Sequence, residues 1–286
     1  ADTAMYKAKQ RGKNGCQIFD RQMSVAMLER LTLETDLQRA LNHREFVAYY
    51  QPIVNLQTEA LFGFEALVRW QHPSRGLVPP NEFIPCMEET GLIVPLGIAI
   101  LQQACEQLLA WHQQGHTDLT MSVNLSVRQF ASPTLLADID RVLAETGLDP
   151  AYLRLEITES ALLENAEAAI GIMAELRSRH IHISIDDFGT GYSSLSSLHR
   201  FPLSDLKIDR SFVSQMHESQ RNFKIVSTVI SLGDQLELTV VAEGIETRQQ
   251  LEQLQQLGCQ LGQGYLFSRP LSADAIGARL RLSPPA

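Results

Sequence analysis

A chain of 286 residues, 44% hydrophobic and 20% charged, has the composition of a folded protein with one large domain and a short appendage. Its net charge of −9 argues against binding a nucleic-acid backbone, which needs a positive field, so no direct DNA binding is expected. Cys16, Cys86, Cys105 and Cys259 form neither a CxxC pair nor a disulfide framework, and the longest apolar stretch, Gly91 to Leu101, is short of the roughly 20 residues of a membrane span and is broken by Pro95. Reduced thiols and a cytoplasmic domain are the expectation.

In chain order, residues 1–20 are charged, carry no signal peptide and read as the tail of another domain, as in a fragment of a longer parent that could itself be membrane-anchored. Residues 21–44 read as a linker helix, from the helical periodicity of Met23 to Asn42. From residue 45 to 286, apolar β-branched runs alternate with amphipathic stretches. The expected strands are Val47–Leu56, Leu61–Trp70, Leu119–Ser126, Leu153–Thr158, His182–Phe188, Asp205–Asp209, Leu238–Glu243 and Leu261–Ser268. Between them, helical spacing covers Leu92–Gln113, Thr134–Thr146, Asn165–Arg179, Ser219–Gln235, Arg248–Leu257 and Ala273–Leu282. Eight such units predict an α/β fold, a TIM-like (β/α)8 barrel. The link Gln57–Ala60 is too short for a parallel crossover, so the barrel should be modified, with an antiparallel first strand.

In such barrels the active site lies at the C-terminal ends of the strands. The polar groups there are Glu65 and Arg69 on the second strand, Asn124 on the third, Glu156 and Glu159 on the fourth, and Asp186-Asp187 closing the fifth. Lys207 and Asp209 follow on the sixth, Glu243 and Glu246 on the seventh and Gln263 on the eighth. Asn124, Glu156 and Asp186 recur about 30 residues apart, the length of a βα unit. Carboxylates about 4 Å apart repel by about 4 kcal/mol at an effective dielectric of 20, so a ring of Glu65, Glu156, Asp186 and Asp187 calls for cations. Oxygen ligands with one amide suit magnesium or manganese better than zinc or copper. Adjacent Asp186 and Asp187 can both reach the site only if the strand breaks there, as Phe188-Gly189-Thr190-Gly191 suggests. His112 and His116 stand at i, i+4 without the Glu of a metalloprotease pattern, and are expected to be structural.

These residues lie in ordered motifs: Tyr50-Gln51-Pro52-Ile53-Val54, Glu65-Ala66-Leu67-Val68-Arg69-Trp70, Phe83-Ile84-Pro85, Val123-Asn124-Leu125-Ser126 and Glu156-Ile157-Thr158-Glu159-Ser160. They continue through Asp186-Asp187-Phe188-Gly189-Thr190-Gly191-Tyr192-Ser193-Ser194-Leu195, Leu206-Lys207-Ile208-Asp209, Ala242-Glu243-Gly244-Ile245-Glu246 and the run Gln263 to Pro270. From Tyr50 to Pro270 the chain thereby resembles the EAL-domain family of bacterial cyclic di-GMP phosphodiesterases. Residues 1–20, through Ala4-Met5-Tyr6-Lys7-Ala8-Lys9, Gly12-Lys13-Asn14 and Phe19-Asp20, resemble the close of a GGDEF domain, which implies upstream GGDEF and sensory domains in the parent protein.

The resemblance implies metal-dependent hydrolysis of cyclic di-GMP to linear pGpG. Glu65, Asn124, Glu156 and Asp186 would coordinate one Mg2+ or Mn2+ ion, and Asp186 with Asp187 would help hold a second; Ca2+ is expected to inhibit. Lys207 would stay protonated and act electrostatically beside the attacking water, with Glu243 as a base or second-metal group. Arg69 would bind phosphate, Gln51, Asp209 and Gln263 would make polar substrate contacts, and Leu67 would pack on a guanine face. Glu159, Gly189, Gly191 and Glu246 would anchor or form the loop from Asp187 to Leu195, beside which the family dimerises, so a homodimer is expected. The alternatives are a catalytically weak cyclic di-GMP receptor that signals to a partner, and an unrelated (β/α)8 metal enzyme.

Overall fold

The computed structural model describes residues 21–159, 166–189 and 198–282. The expected GGDEF-like tail (1–20) and Gly191 lie outside these segments. Among the described residues the strands are β1 (Phe46–Asn55), β2 (Leu61–His72), β3 (Gly76–Val78), β4 (Thr120–Leu125), β5 (Leu153–Thr158), β6 (His182–Phe188), β7 (Asp205–Ile208), β8 (Thr239–Ala242) and β9 (Leu261–Gly262). The helices are α1 (Arg21–Asn42), α2 (Ile84–Thr90), α3 (Ile93–Gln113), α4 (Val127–Phe130), α5 (Leu135–Thr146), α6 (Ala166–Ser178), α7 (Arg210–Ser214), α8 (Gln220–Gln235), α9 (Arg248–Gln256) and α10 (Ala273–Leu282).

The sheet closes in the order β1-β9-β8-β7-β6-β5-β4-β2, with β1 pairing β2 and β3 appended to β2. β1 is antiparallel to both neighbours and the remaining barrel pairs are parallel. The modified barrel therefore stands. Period-two alternation sorts its residues: Leu155, Ile157, Ile183, Ile185, Leu206 and Ile208 are buried beneath the outer helices, which leaves Glu156, Ser184 and Lys207 inside.

Three local features depart from the expected elements. β2 pairs with β4 only from Gly63 to Ala66. It then leaves the barrel and runs on to His72, still paired with β1 and then β3, so Glu65 lies inside a long strand at the level where the barrel ends. A second core covers this extension: Phe46, Trp70, Phe83, Met87 and Leu96 pack with Leu37 of α1, and Trp70 Nε1 donates to Glu45 at 3.0 Å.

β9 stops at Gly262, not Ser268. Gly264 lies so close to Ile245 that an added Cβ would stand 2.1 Å from its carbonyl oxygen, and the chain is held there by Ile245 N–H to Gln263 O (3.1 Å) and Leu266 N–H to Ile245 O (3.0 Å). Pro95 does not interrupt α3, because it sits in the first turn, where no intrahelical N–H bond is lost. By length and composition α3 could cross a membrane, but Leu101, Ala104, Leu108 and Trp111 are buried in the barrel's outer core.

Candidate functional site

β-Strand geometry puts the acidic residues into one mouth. Glu65 (β2), Asn124 (β4), Glu156 (β5), Asp186 (β6) and Lys207 (β7) are inward-facing residues of consecutive strands, and Glu243 directly follows β8. Lys207 Nζ stands at their centre, 2.5 Å from Glu156 Oε2, 2.6 Å from Glu243 Oε1, 3.4 Å from Asp186 Oδ1 and 3.5 Å from Glu65 Oε2. The ammonium is 1% exposed. Burial alone would strip its proton, but the four carboxylates outweigh that and hold its pKa well above the ordinary lysine value.

Glu65 is fixed from two sides. Asn124 Nδ2 donates to its Oε1 at 2.6 Å and Gln263 Nε2 to its Oε2 at 2.6 Å. Burial pushes its pKa up, yet Lys207 and these two donors prevail and leave it below the usual carboxylate range. Its neighbours go the other way. Burial, only partly offset by Lys207, pushes Glu156 well up and Glu243 up to about 8. Burial, then the charges of Asp186 and Asp209, push Asp187 up to about 6. One ammonium does not neutralise this many acids.

Both aspartates reach the mouth, though not because the strand ends between them. β6 continues to Phe188 and carries one extra residue against β7, pairing Ile185 with Leu206 and Phe188 with Ile208. Within this bulge Asp187 adopts a left-handed backbone, φ 54°. Oxygens of Asp186, Asp187 and Glu243 thereby lie within 4.8 Å of one another. The donor set is oxygen-only, under-neutralised and spread over two adjacent carboxylate groups, which fits divalent magnesium or manganese.

The polar rim is partly assembled. Gln51, paired with Glu65 across β1–β2, donates through Nε2 to Ser268 O at 3.2 Å. Gln263 Oε1 is buried with no hydrogen-bond partner among the described residues. Leu67 and Arg69 follow Glu65 at alternate positions and so share its face; Arg69 lies 5.9 Å from the Tyr49 ring centroid. Sequence reading missed Tyr49, although it stands two residues before Gln51 on the same strand. Asp209 caps α7, accepting from Ser211 N at 3.0 Å, and meets Asp187. Glu159, 3% exposed, accepts from Gly189 N at 3.3 Å. Glu246 does not join the cluster: its side chain is exposed and its N–H donates to Gln250 Oε1 at 2.7 Å.

The remaining candidates have structural surroundings. His112 Nε2 lies 2.8 Å from Leu119 O and its ring packs edge-on against Tyr152. Cys86, Cys105 and Cys259 are free and buried, and burial pushes the last two up to about 12.

A mixed barrel with a buried ring of acids at the C-terminal ends of its strands defines a class of metal-binding α/β barrels. Within that class the chain belongs to the EAL-domain family, whose model it matches over residues 34–270. It is 44% identical over 276 residues to the bifunctional diguanylate cyclase/cyclic di-GMP phosphodiesterase MucR of Pseudomonas aeruginosa, covering 96% of this chain and 40% of MucR. To the cyclic di-GMP phosphodiesterase PdeR of Escherichia coli it is 39% identical over 276 residues, 96% of this chain and 42% of PdeR. A solved PaMucR phosphodiesterase in complex with c-di-GMP superposes with a TM-score of 0.84 at 44% identity, over 86% of this chain and 99% of that one. The chain thus spans about two fifths of the length of these curated relatives.

Proposed function

We propose that this chain hydrolyses one phosphodiester bond of cyclic di-GMP and releases linear pGpG. The observation that carries the reading is the ring of Glu65, Glu156, Asp186 and Glu243 around one buried lysine, in a chain 44% identical to a phosphodiesterase solved with c-di-GMP. Glu65, Asn124, Glu156 and Asp186 would hold one Mg2+ or Mn2+, and Asp186 with Asp187 would help hold a second. Bound there, such ions acidify water and offset the charge that grows on the phosphate.

The chain's own groups supply the rest. Lys207, kept protonated by its four acids, adds positive charge beside the phosphate and orients the attacking water, a role that suits an ammonium better than proton abstraction does. Glu243, 2.6 Å from Lys207 Nζ and grouped with Asp186 and Asp187, serves as a base or as a second-metal group. Arg69, held beside Tyr49, binds a phosphate oxygen; Gln51, Asp209 and Gln263 orient the nucleotide, and Leu67 packs on a guanine. Glu159 restrains the backbone of Gly189. The same reading takes residues 21–44 as a linker after an upstream GGDEF domain, and the working unit as a homodimer.

The test is to incubate the purified chain with cyclic di-GMP and resolve pGpG by chromatography, in Mg2+, Mn2+, Ca2+ and chelator. Product in the first two conditions only is expected. Undiminished turnover after exhaustive chelation would sink the mechanism. Nucleotide binding in Ca2+ with no pGpG in any metal would identify a receptor instead.

A further inference from the structure

Directly below the acidic ring lies a second polar layer inside the barrel. Arg154 Nη1 donates to Asp205 Oδ2, and Ser184 Oγ donates to the same oxygen at 2.9 Å. Asp205 is 1% exposed and Ser184 2%. On the other side of the barrel the same level is apolar, formed by Ile53, Val241 and Leu261 with Phe62. Phe62 is the residue skipped where the β1–β2 register shifts between Ile53 and Val54, and the Arg154 guanidinium sits 4.9 Å above its ring.

The two layers correspond residue for residue. Arg154 stands two before Glu156 on β5, Ser184 two before Asp186 on β6, and Asp205 two before Lys207 on β7. With a period of two, each lower residue lies under an upper one on the same face. Both layers bridge β5 to β7 across β6, and their polarities are opposed: cation on β5 and anion on β7 below, the reverse above. Just above the lower layer the β6–β7 ladder is interrupted by the bulge between Ile185 and Phe188. Backbone pairing is therefore weakest where Lys207 must be set against Glu156 and Asp186.

We infer that Arg154, Ser184 and Asp205 are positioning residues, a buried layer that registers β5, β6 and β7 so that Glu156, Asp186 and Lys207 converge. This rests on the reading of those three as the working site. The layer touches neither metal nor nucleotide and acts only through the residues above it.

The experiment replaces the pair by apolar groups, Arg154→Met with Asp205→Leu, in the whole chain. Apolar replacement of a buried ion pair commonly leaves a fold as stable or more so, which offsets the acceptor that Ser184 Oγ loses, so thermal unfolding should occur within roughly 5 °C of the wild-type temperature. Loss of a group that orients a metal ligand costs roughly 10–100-fold in metal affinity or activity. Mn2+ affinity, read by electron paramagnetic resonance, should fall by about that factor, and kcat likewise, with KM for cyclic di-GMP within about threefold. A folded double variant that binds Mn2+ as wild type does overturns the inference, because a merely structural pair would leave that affinity unmoved. Should the double variant not fold, the isosteric Asp205→Asn is measured in the same way. A crystal structure of whichever variant folds decides the matter where Mn2+ binding is too weak to read: Lys207 Nζ either leaves Glu156 or stays at its 2.5 Å. Wild-type protein that makes no pGpG would refute the proposed function alone, since neither Mn2+ affinity nor the Lys207 position depends on turnover.

Discussion

The two polar layers inside this barrel are built from the same strands and differ in their charge balance. In the lower one, Arg154 and Asp205 cancel, and Ser184 supplies a further donor. In the upper one, Lys207 faces Glu65, Glu156, Asp186 and Glu243, one positive group against four acids. The lower layer is electrically complete with protein atoms alone. The upper layer is complete only when protons or cations are added, and burial, only partly offset by Lys207, holds the carboxyl pKa values of Glu156 and Glu243 up. Burial by itself therefore does not mark a functional site here; uncompensated burial does.

Glu65→Ala should break the upper layer most severely. It removes the acid that Asn124 and Gln263 both hold, and turnover of cyclic di-GMP should drop by on the order of a thousandfold, about 4 kcal/mol of transition-state stabilisation. Steady-state pGpG release measures it, and a loss below tenfold would remove Glu65 from the site. The lower layer should fail differently. Arg154→Met leaves Asp205 buried without its cation, and breaking a buried pair from one side costs about 3–5 kcal/mol of stability. Denaturant unfolding would show this, and a cost below 1 kcal/mol would mean that Asp205 finds other compensation.

A pH series sharpens the contrast. Asp187 and Glu243 have folded pKa values raised to about 6 and about 8, so folding favours their protonated forms. Their stabilising contribution is complete below the ordinary carboxylate range and is lost as pH rises through 6 and then 8. Glu65, shifted down, and Lys207, shifted up, change their contributions outside that window. The metal-free chain should therefore unfold at progressively lower temperature from pH 5 to pH 9, and the gain on adding Mn2+ should grow over the same range. Melting curves with chelator and with Mn2+ test this. A flat metal-free profile would contradict the shifts.

Much of the upper layer is legible in sequence because its charges interrupt apolar β runs. Lys207 between Leu206 and Ile208, and Glu156 between Leu155 and Ile157, could only point into the barrel once their neighbours faced the helices. Arg154 and Asp205 carry the same signal at the starts of their strands, where a charge also reads as a solvated end, and so their pairing stayed hidden. The bulge that turns Asp187 inward and the one that turns Phe62 inward depend on register between two strands, which no single segment encodes. The short helices α2, α4 and α7 span seven, four and five residues, too few to show a helical period. The early stop of β9 follows from the close approach of Gly264 to Ile245, a contact between distant segments.

The smallest effect is expected at the edge of the upper layer, where Glu159 meets the backbone of Gly189. Gly189 has φ 96°, and a Cβ there would lie 3.2 Å from the Phe212 ring, so its conformation is already confined from one side. Glu159 Oε2, accepting from its N–H, confines it from the other. Glu159→Gln keeps an acceptor in place but removes the charge, and a charge-assisted hydrogen bond is about twice as strong as a neutral one. The change should cost about 1 kcal/mol and show as a three- to tenfold fall in kcat, with Mn2+ affinity falling by no more than that. A loss as deep as that of Glu65→Ala would place Glu159 among the groups that hold the reacting phosphate. No change at all would mean that the bulge and the Phe212 contact position Asp187 without its help.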